Sequence, residues 1–199
     1  AMKEGNYDRI LRLSSDLGHY VGDSHVPLHT TENYNGQLTN QKGIHGFWES
    51  RLPELISEDY DFLLGRAEYV PYILDHAWDV VEQSFGAVDS VLSFEQALND
   101  EFPTDKKYSY EQRGAVLVKA YSEEYSNEYH KRLNGMVERR MRQAVFTTGS
   151  YWYTAWVNAG QPDLNKLAEG EISEEYRKQL EEEGKLFGGG KINGRKHDQ

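Results

Sequence analysis

Two histidine–carboxylate pairs of identical spacing, His19-Tyr20-Val21-Gly22-Asp23 and His45-Gly46-Phe47-Trp48-Glu49, stand on either side of the tripeptide Pro27-Leu28-His29. Residues four apart on an α-helix share one face, with Cβ atoms roughly 6 Å apart. Each pair can meet a single cation only if the chain around it is helical, so fold and chemistry are tied together at these positions. Taken alone, such a pair more often forms a surface hydrogen bond than a ligand pair. Five imidazole and carboxylate groups within about thirty residues point instead to a metal site.

The surrounding pattern supports helices. Ile10, Leu11, Leu13, Leu17, Tyr20 and Val21 recur at helical spacing from Tyr7 to Gly22, which carries His19 and Asp23, and Pro27 marks the end of that run. Thr30 to Gly43, with Asn33, Asn35, Gly36 and Asn40, reads as a loop leading to a short helix from about His45. Pro53 marks a break or a fresh first turn. Further helices are predicted over Pro71–Phe85, Val88–Leu98, Tyr110–Leu133 and Met136–Val157, with loops at Asp100–Lys107 and near Gly135. No alternating strand pattern stands out, and the expected class is all-α. Residues 1–165 read as one helical domain. The 166–199 segment reads as a charged helix over Ser173–Glu183 followed by a mobile tail around Gly188-Gly189-Gly190.

Composition narrows the chemistry. The 199 residues include no cysteine, so disulfides and thiolate ligation are excluded and a metal must be held by imidazole and carboxylate. No apolar run approaches the roughly 18 residues that a bilayer span requires. A formal charge of −11 disfavours a general binder of phosphate backbones, while a local cation can still recruit one phosphate. Glu181-Glu182-Glu183 reads as a solvated face.

His29, His45 and Glu49 together form a His-His-carboxylate set, the donor chemistry of a catalytic zinc that keeps a position open for water. The order His19-x-x-x-Asp23, Pro27-Leu28-His29, His45-x-x-x-Glu49 resembles the central signature of the zinc-dependent bacterial phospholipases C and the related single-strand-specific zinc nucleases, which share a largely helical fold. The match is strongest between Leu17 and Glu49. The resemblance implies that His29, His45 and Glu49 hold one zinc, that His19 and Asp23 contribute to a second, and that Asp23 bridges to a third. It also implies a phosphoester substrate, either a phospholipid or single-stranded nucleic acid, and a secreted or periplasmic location.

The family also uses a Trp, a His, an Asp and a further His placed before this motif. The 18 residues ahead of His19 contain neither His nor Trp, and Asp8 and Asp16 read as solvated helix carboxylates. The expectation is therefore the central and C-terminal part of a longer domain, binding about one zinc or none and weak or inactive alone. Glu49, where nucleases more often carry Asp, and the Asn33-Tyr34-Asn35-Gly36-Gln37 stretch favour the phospholipase C type over the nuclease. A non-catalytic helical metal-binding or interaction module is the reading from another class.

His25 lies between ligand positions and reads as a supporting or solvent-facing residue; His76 and His130 read as structural, and His197 falls in the tail. Tyr151, Trp152, Tyr153 and Trp156 are expected to pack the core or, alternatively, to line a lipid or base pocket. Trp48 either supports the ligand helix or lines the cleft.

Overall fold

A computed structural model describes residues 1–165 and 173–188. Helix α1 runs Tyr7–Ser24, started by Asn6, whose side-chain oxygen accepts from the Arg9 amide at 3.0 Å. A single 3₁₀ turn, Pro27–Thr30, follows with Pro27 at its first positions. After a loop come α2 (Ile44–Gly46), a π-helical turn (Phe47–Arg51) and α3 (Leu52–Ile56) in one continuous helical stretch. Pro53 is the second residue of α3, directly after the π-helical turn. Helices α4 (Ile73–Gly86), α5 (Val88–Glu101), α6 (Glu123–Arg132), α7 (Met136–Asn158) and α8 (Glu174–Gly188) follow. No helix among the described residues is long and apolar enough to cross a membrane. Of the tail expected around Gly188-Gly189-Gly190, Gly188 is the last residue of α8, and the rest lies outside the described residues.

The fold is mostly helical, but the single helix expected over Tyr110–Leu133 is corrected. Strands β1 (Tyr108–Arg113) and β2 (Val116–Tyr121) form an antiparallel hairpin, with Tyr108 opposite Tyr121 and Arg113 opposite Val116. Gly114 makes this possible: its φ of 60° opens a two-residue turn that a helix would not use. Val116 and Val118 favour the extended form, and Ser122 then starts α6 by accepting from the Tyr125 amide at 3.2 Å. The helical spacing of Leu117, Tyr121 and Tyr125 is thus coincidental.

The core is gathered around the π-helical turn. Phe47 stacks on Tyr121 at 3.9 Å between centroids and on Tyr129 at 5.0 Å, and Leu28, Ile44, Trp48, Leu52, Val91 and Leu133 close around it. Burying these side chains stabilises the fold by roughly 1.5–3 kcal/mol each. Arg51 ties the turn to the hairpin, donating from Nε to the Tyr121 carbonyl at 3.0 Å and pairing with Glu111. The aromatic segment of α7 is corrected in part: Tyr151 is buried, whereas Trp152 and Tyr153 are exposed because they fall on the outward side of the helix.

A buried carboxylate fixes the loop that precedes α2. Glu95 of α5, 1% exposed, accepts from Gln41 Nε2 at 2.7 Å, Tyr125 OH at 2.7 Å and Lys107 Nζ at 3.0 Å. Gln41 also donates to the Leu92 carbonyl at 2.8 Å. Within the loop, Gly36 has φ +72°, and a Cβ there would lie 2.3 Å from the Gln41 carbonyl oxygen, so only glycine fits. Replacing Glu95 by Ala removes the acceptor of the buried Tyr125 hydroxyl and the carboxylate paired with Lys107, leaving Gln41 the Leu92 carbonyl and Lys107 the Asn99 side chain. We expect a loss of about 3 kcal/mol in urea unfolding, and a change below about 1 kcal/mol would show that the network is marginal to the fold.

Candidate metal centre

Each ligand candidate is delivered by a different local device. His19 and Asp23 project from the last turns of α1, with His19 Nε2 at 3.5 Å from Asp23 Oδ2. His29 sits on the 3₁₀ turn, placed by Pro27 and by its own amide donating to the Val26 carbonyl at 3.1 Å. His45 belongs to α2 and Glu49 to the π-helical turn, and the two meet at 2.7 Å between Nε2 and Oε2. A π turn widens the helix locally by one residue and is common where function needs an altered side-chain register.

His29 Nε2 approaches the same Glu49 oxygen at 3.4 Å, and the two imidazoles meet edge to face at 4.7 Å. One donor atom each from His29, His45 and Glu49 lies within 4.8 Å of the others, an arrangement able to hold a metal ion. Asp23 Oδ1 stands 3.9 Å from His29 Nε2. The five side chains expected from the sequence therefore form one chain of contacts, His19–Asp23–His29–Glu49–His45, in which three converge on a point and two flank it.

The convergence accommodates a positive species, either a proton on His45 or a cation. His45 Nδ1 lies 3.1 Å from the Tyr34 carbonyl, which can only accept, so that nitrogen carries a proton. In the neutral ring Nε2 then presents a lone pair to the Glu49 carboxylate, a repulsive contact unless a proton or a cation lies between them. Burial by itself would raise the Glu49 carboxyl; hydrogen bonds from His29 and His45, reinforced by their charges, outweigh it and hold the group at about 2. Glu49 is thus an anion across the neutral range, presented to His29 and to His45, whose ring orientation the Tyr34 carbonyl sets. The nitrogen, nitrogen and oxygen donors suit zinc, and a carbonyl behind a metal-binding imidazole is the support such ligands commonly have.

Beside this cluster, Tyr20, Trp78, Val81 and Phe85 wall a groove of about 550 Å³ that opens onto Asp23 and His29. Trp78 and Phe85 are both more than half exposed, although their spacing on α4 resembles a core stripe. Glu82 also lines the groove, and no Lys or Arg does so among the described residues. Sequence reasoning missed this wall because helical periodicity identifies an apolar face without revealing what it faces. It also missed Tyr34, whose contribution is a backbone carbonyl.

The remaining histidines separate cleanly. His25, 2% exposed, turns away from the cluster: Nδ1 lies 2.7 Å from the Val21 carbonyl and Nε2 is 3.5 Å from Thr147 Oγ1. It is buried, not solvent-facing. His76 Nδ1 meets Tyr151 OH at 2.9 Å, and His130 packs by Tyr60. Trp48, 2% exposed, backs the ligand helix instead of lining the cleft. No family model, no curated protein and no solved structure matches the chain.

Burial pulls the His25 pKa down to about 4; its bond to the Val21 carbonyl opposes this, and the charges of Arg140 and His76 add to it. Because the folded value lies below the unfolded one, the unfolded chain takes up the proton first as pH falls. Stability associated with neutral His25 is complete above about pH 6.5 and is lost between there and about pH 4, a change of about 3 kcal/mol. We expect His25→Gln to show a shallower fall in urea stability from pH 7 to pH 4.5 than the wild type. Parallel pH profiles for the two proteins would contradict this account of His25.

Proposed function

We propose that this protein is a zinc-dependent phosphoester hydrolase of the phospholipase C and zinc nuclease type, with the corresponding helical fold. The observation that carries the reading is the convergence of His29, His45 and Glu49 beside Asp23 and His19, in the order and spacing of that signature. Zinc bound at such a centre supplies positive charge to a phosphoryl oxygen and makes water more acidic. His29, His45 and Glu49 hold the ion, and the Tyr34 carbonyl keeps His45 in the required tautomer. The two oxygens of Asp23 face different imidazoles, His19 at 3.5 Å and His29 at 3.9 Å, which suits a carboxylate shared between neighbouring cations.

The groove orients the substrate. Its aromatic and aliphatic wall accepts an apolar portion of the phosphoester, while Asp23 and His29 mark the end at which the phosphate lies. A groove without Lys or Arg, on a chain of net charge −11, favours an ester with a single phosphate group and an apolar part over a polynucleotide. This supports the phospholipase C type over the nuclease.

We expect the purified chain, dialysed against dilute zinc and measured by elemental analysis, to hold about one tightly bound zinc. His19 and Asp23 provide only two further ligands among the described residues, so additional zinc should bind more weakly. His45→Ala should weaken the tight site at least about 100-fold, and undiminished zinc in that variant would refute the triad. Turnover of a chromogenic phosphodiester should rise with added zinc and disappear in His29→Ala. Tight zinc in a closed four-ligand site, with no turnover of the diester, a short-chain phospholipid or single-stranded nucleic acid, would instead identify a non-catalytic metal-binding module.

A further inference from the structure

The face of α4 opposite the groove borders a second cavity, of about 490 Å³. Trp78, Val81 and Phe85 line the groove, whereas His76, Val80 and Gln83 line this cavity. At about 100° per residue the two sets lie on opposite sides of the helix. Arg139, Arg142 and Gln143 of α7 form the facing wall, and no Asp or Glu lines it among the described residues. Acidic residues outnumber basic ones in this chain, 33 to 22, so an open pocket with cationic walls runs against the composition.

A buried charge stands behind the wall. Arg140, 7% exposed, donates from Nε to the His25 carbonyl at 2.9 Å, from Nη1 to Gln143 Oε1 at 2.8 Å, and from Nη2 to the Val80 carbonyl at 3.2 Å and to Ser84 Oγ. All four acceptors are neutral, and no carboxylate pairs with it among the described residues. A guanidinium keeps its charge in a protein, and a buried charge without a counter-ion is costly. His25, Gln143 and Val80, which Arg140 grips, are themselves cavity wall, so its field emerges there.

The ion pairs leave two charges over. Arg142 Nη1 lies 3.4 Å from Asp61 and 3.9 Å from Glu138, which balance it. Arg139 donates from Nη1 to the Asn134 carbonyl and has no carboxylate partner among the described residues. Arg139 and Arg140 thus present two uncompensated positive charges. Nε and Nη2 of both Arg139 and Arg142 make no hydrogen bond among the described residues. Gln143, whose oxygen is taken by Arg140, keeps its amide N–H groups to donate. Guanidinium forks match the oxygens of a phosphate, and a phosphate dianion matches the charge. Leu64, Val80 and Phe146 make the remaining wall apolar, and the volume exceeds what a bare phosphate needs.

We propose that this cavity binds a small organic phosphate monoester, with Arg139 and Arg142 on its phosphate oxygens, Arg140 supplying charge from behind, and its carbon skeleton against Leu64, Val80 and Phe146. The site shares no residue with the metal centre and stands whether or not that centre hydrolyses phosphoesters.

The test is calorimetric titration of the full chain in EDTA, which removes divalent cations from the metal centre, with glycerol 3-phosphate, inorganic phosphate and glycerol as separate probes. Glycerol 3-phosphate should saturate one site per chain, at least about tenfold more tightly than phosphate, and glycerol should not bind. The variant Arg139→Gln/Arg142→Gln should weaken glycerol 3-phosphate at least about tenfold, with far-UV circular dichroism unchanged. Arg139→Gln alone, at an exposed side chain, reads the same effect at smaller amplitude. His45→Ala should bind it as the wild type does. Absence of saturation up to about 10 mM, or affinity untouched by the arginine changes, would overturn the site. Loss in His45→Ala would move the binding to the metal centre, and equal affinity for inorganic phosphate would overturn the assignment to an ester.

Discussion

A carboxylate cannot leave water unless donors surround it, and Glu95 satisfies that constraint by drawing four parts of the chain together. Gln41 comes from the loop after the 3₁₀ turn, Lys107 from the entry to the hairpin, Tyr125 from α6, and Glu95 itself from α5. The loop so anchored leads directly into α2, and the hairpin and α6 supply Tyr121, Tyr125 and Tyr129 against Phe47. The backbone positions of His45 and Glu49 are thus set by an interaction on the far side of the core. Hydrophobic contacts alone would fill the same volume with less control over direction, since dispersion has no preferred angle and hydrogen bonds do.

The candidate centre shows the opposite balance. At Glu95 the donors match the carboxylate; at Glu49 two imidazoles crowd one carboxylate oxygen, and the neutral form of His45 would repel it. Such an arrangement gains from a bound cation what Glu95 already has from its neighbours. Glu49 is about a third exposed, so its interactions are weakened by solvent and cannot be counted as fold stability. The fold holds these ligands in place mainly through residues that do not touch them, with the Tyr34 carbonyl as the direct exception.

Helix positions were legible where amphipathic period and end signals agreed. Pro71–Phe85 and Val88–Leu98 fall close to α4 and α5, and Met136–Val157 nearly coincides with α7. The hairpin was not legible, because one glycine and a serine cap had to outweigh a longer run of helix-compatible spacing. At the candidate centre the five ligand residue types and their spacing could be read directly. What spacing could not convey was which side chains converge: His29 joins His45 and Glu49 through a turn, and His25, only two residues from Asp23, points into the core. The groove and the cationic cavity were invisible for a related reason. Both depend on which face of α4 meets which neighbour, and neighbours distant in sequence leave no trace in a local pattern.

The π-helical turn at Phe47–Arg51 places a different kind of demand on the gene than the ligands do. Identity matters at Glu49, Phe47 and Arg51, yet Ser50 is exposed and packs against nothing in the core. The number of residues in the turn is less forgiving. Because a π turn takes up one extra residue without turning the helix beyond it, removing one would restore ordinary α-helical winding with Leu52 still towards the core, and would lose the wide turn in which Glu49 sits. Over this stretch the sequence can drift by substitution at its outer position, whereas a single-residue deletion should cost the placement of Glu49 before it costs the fold.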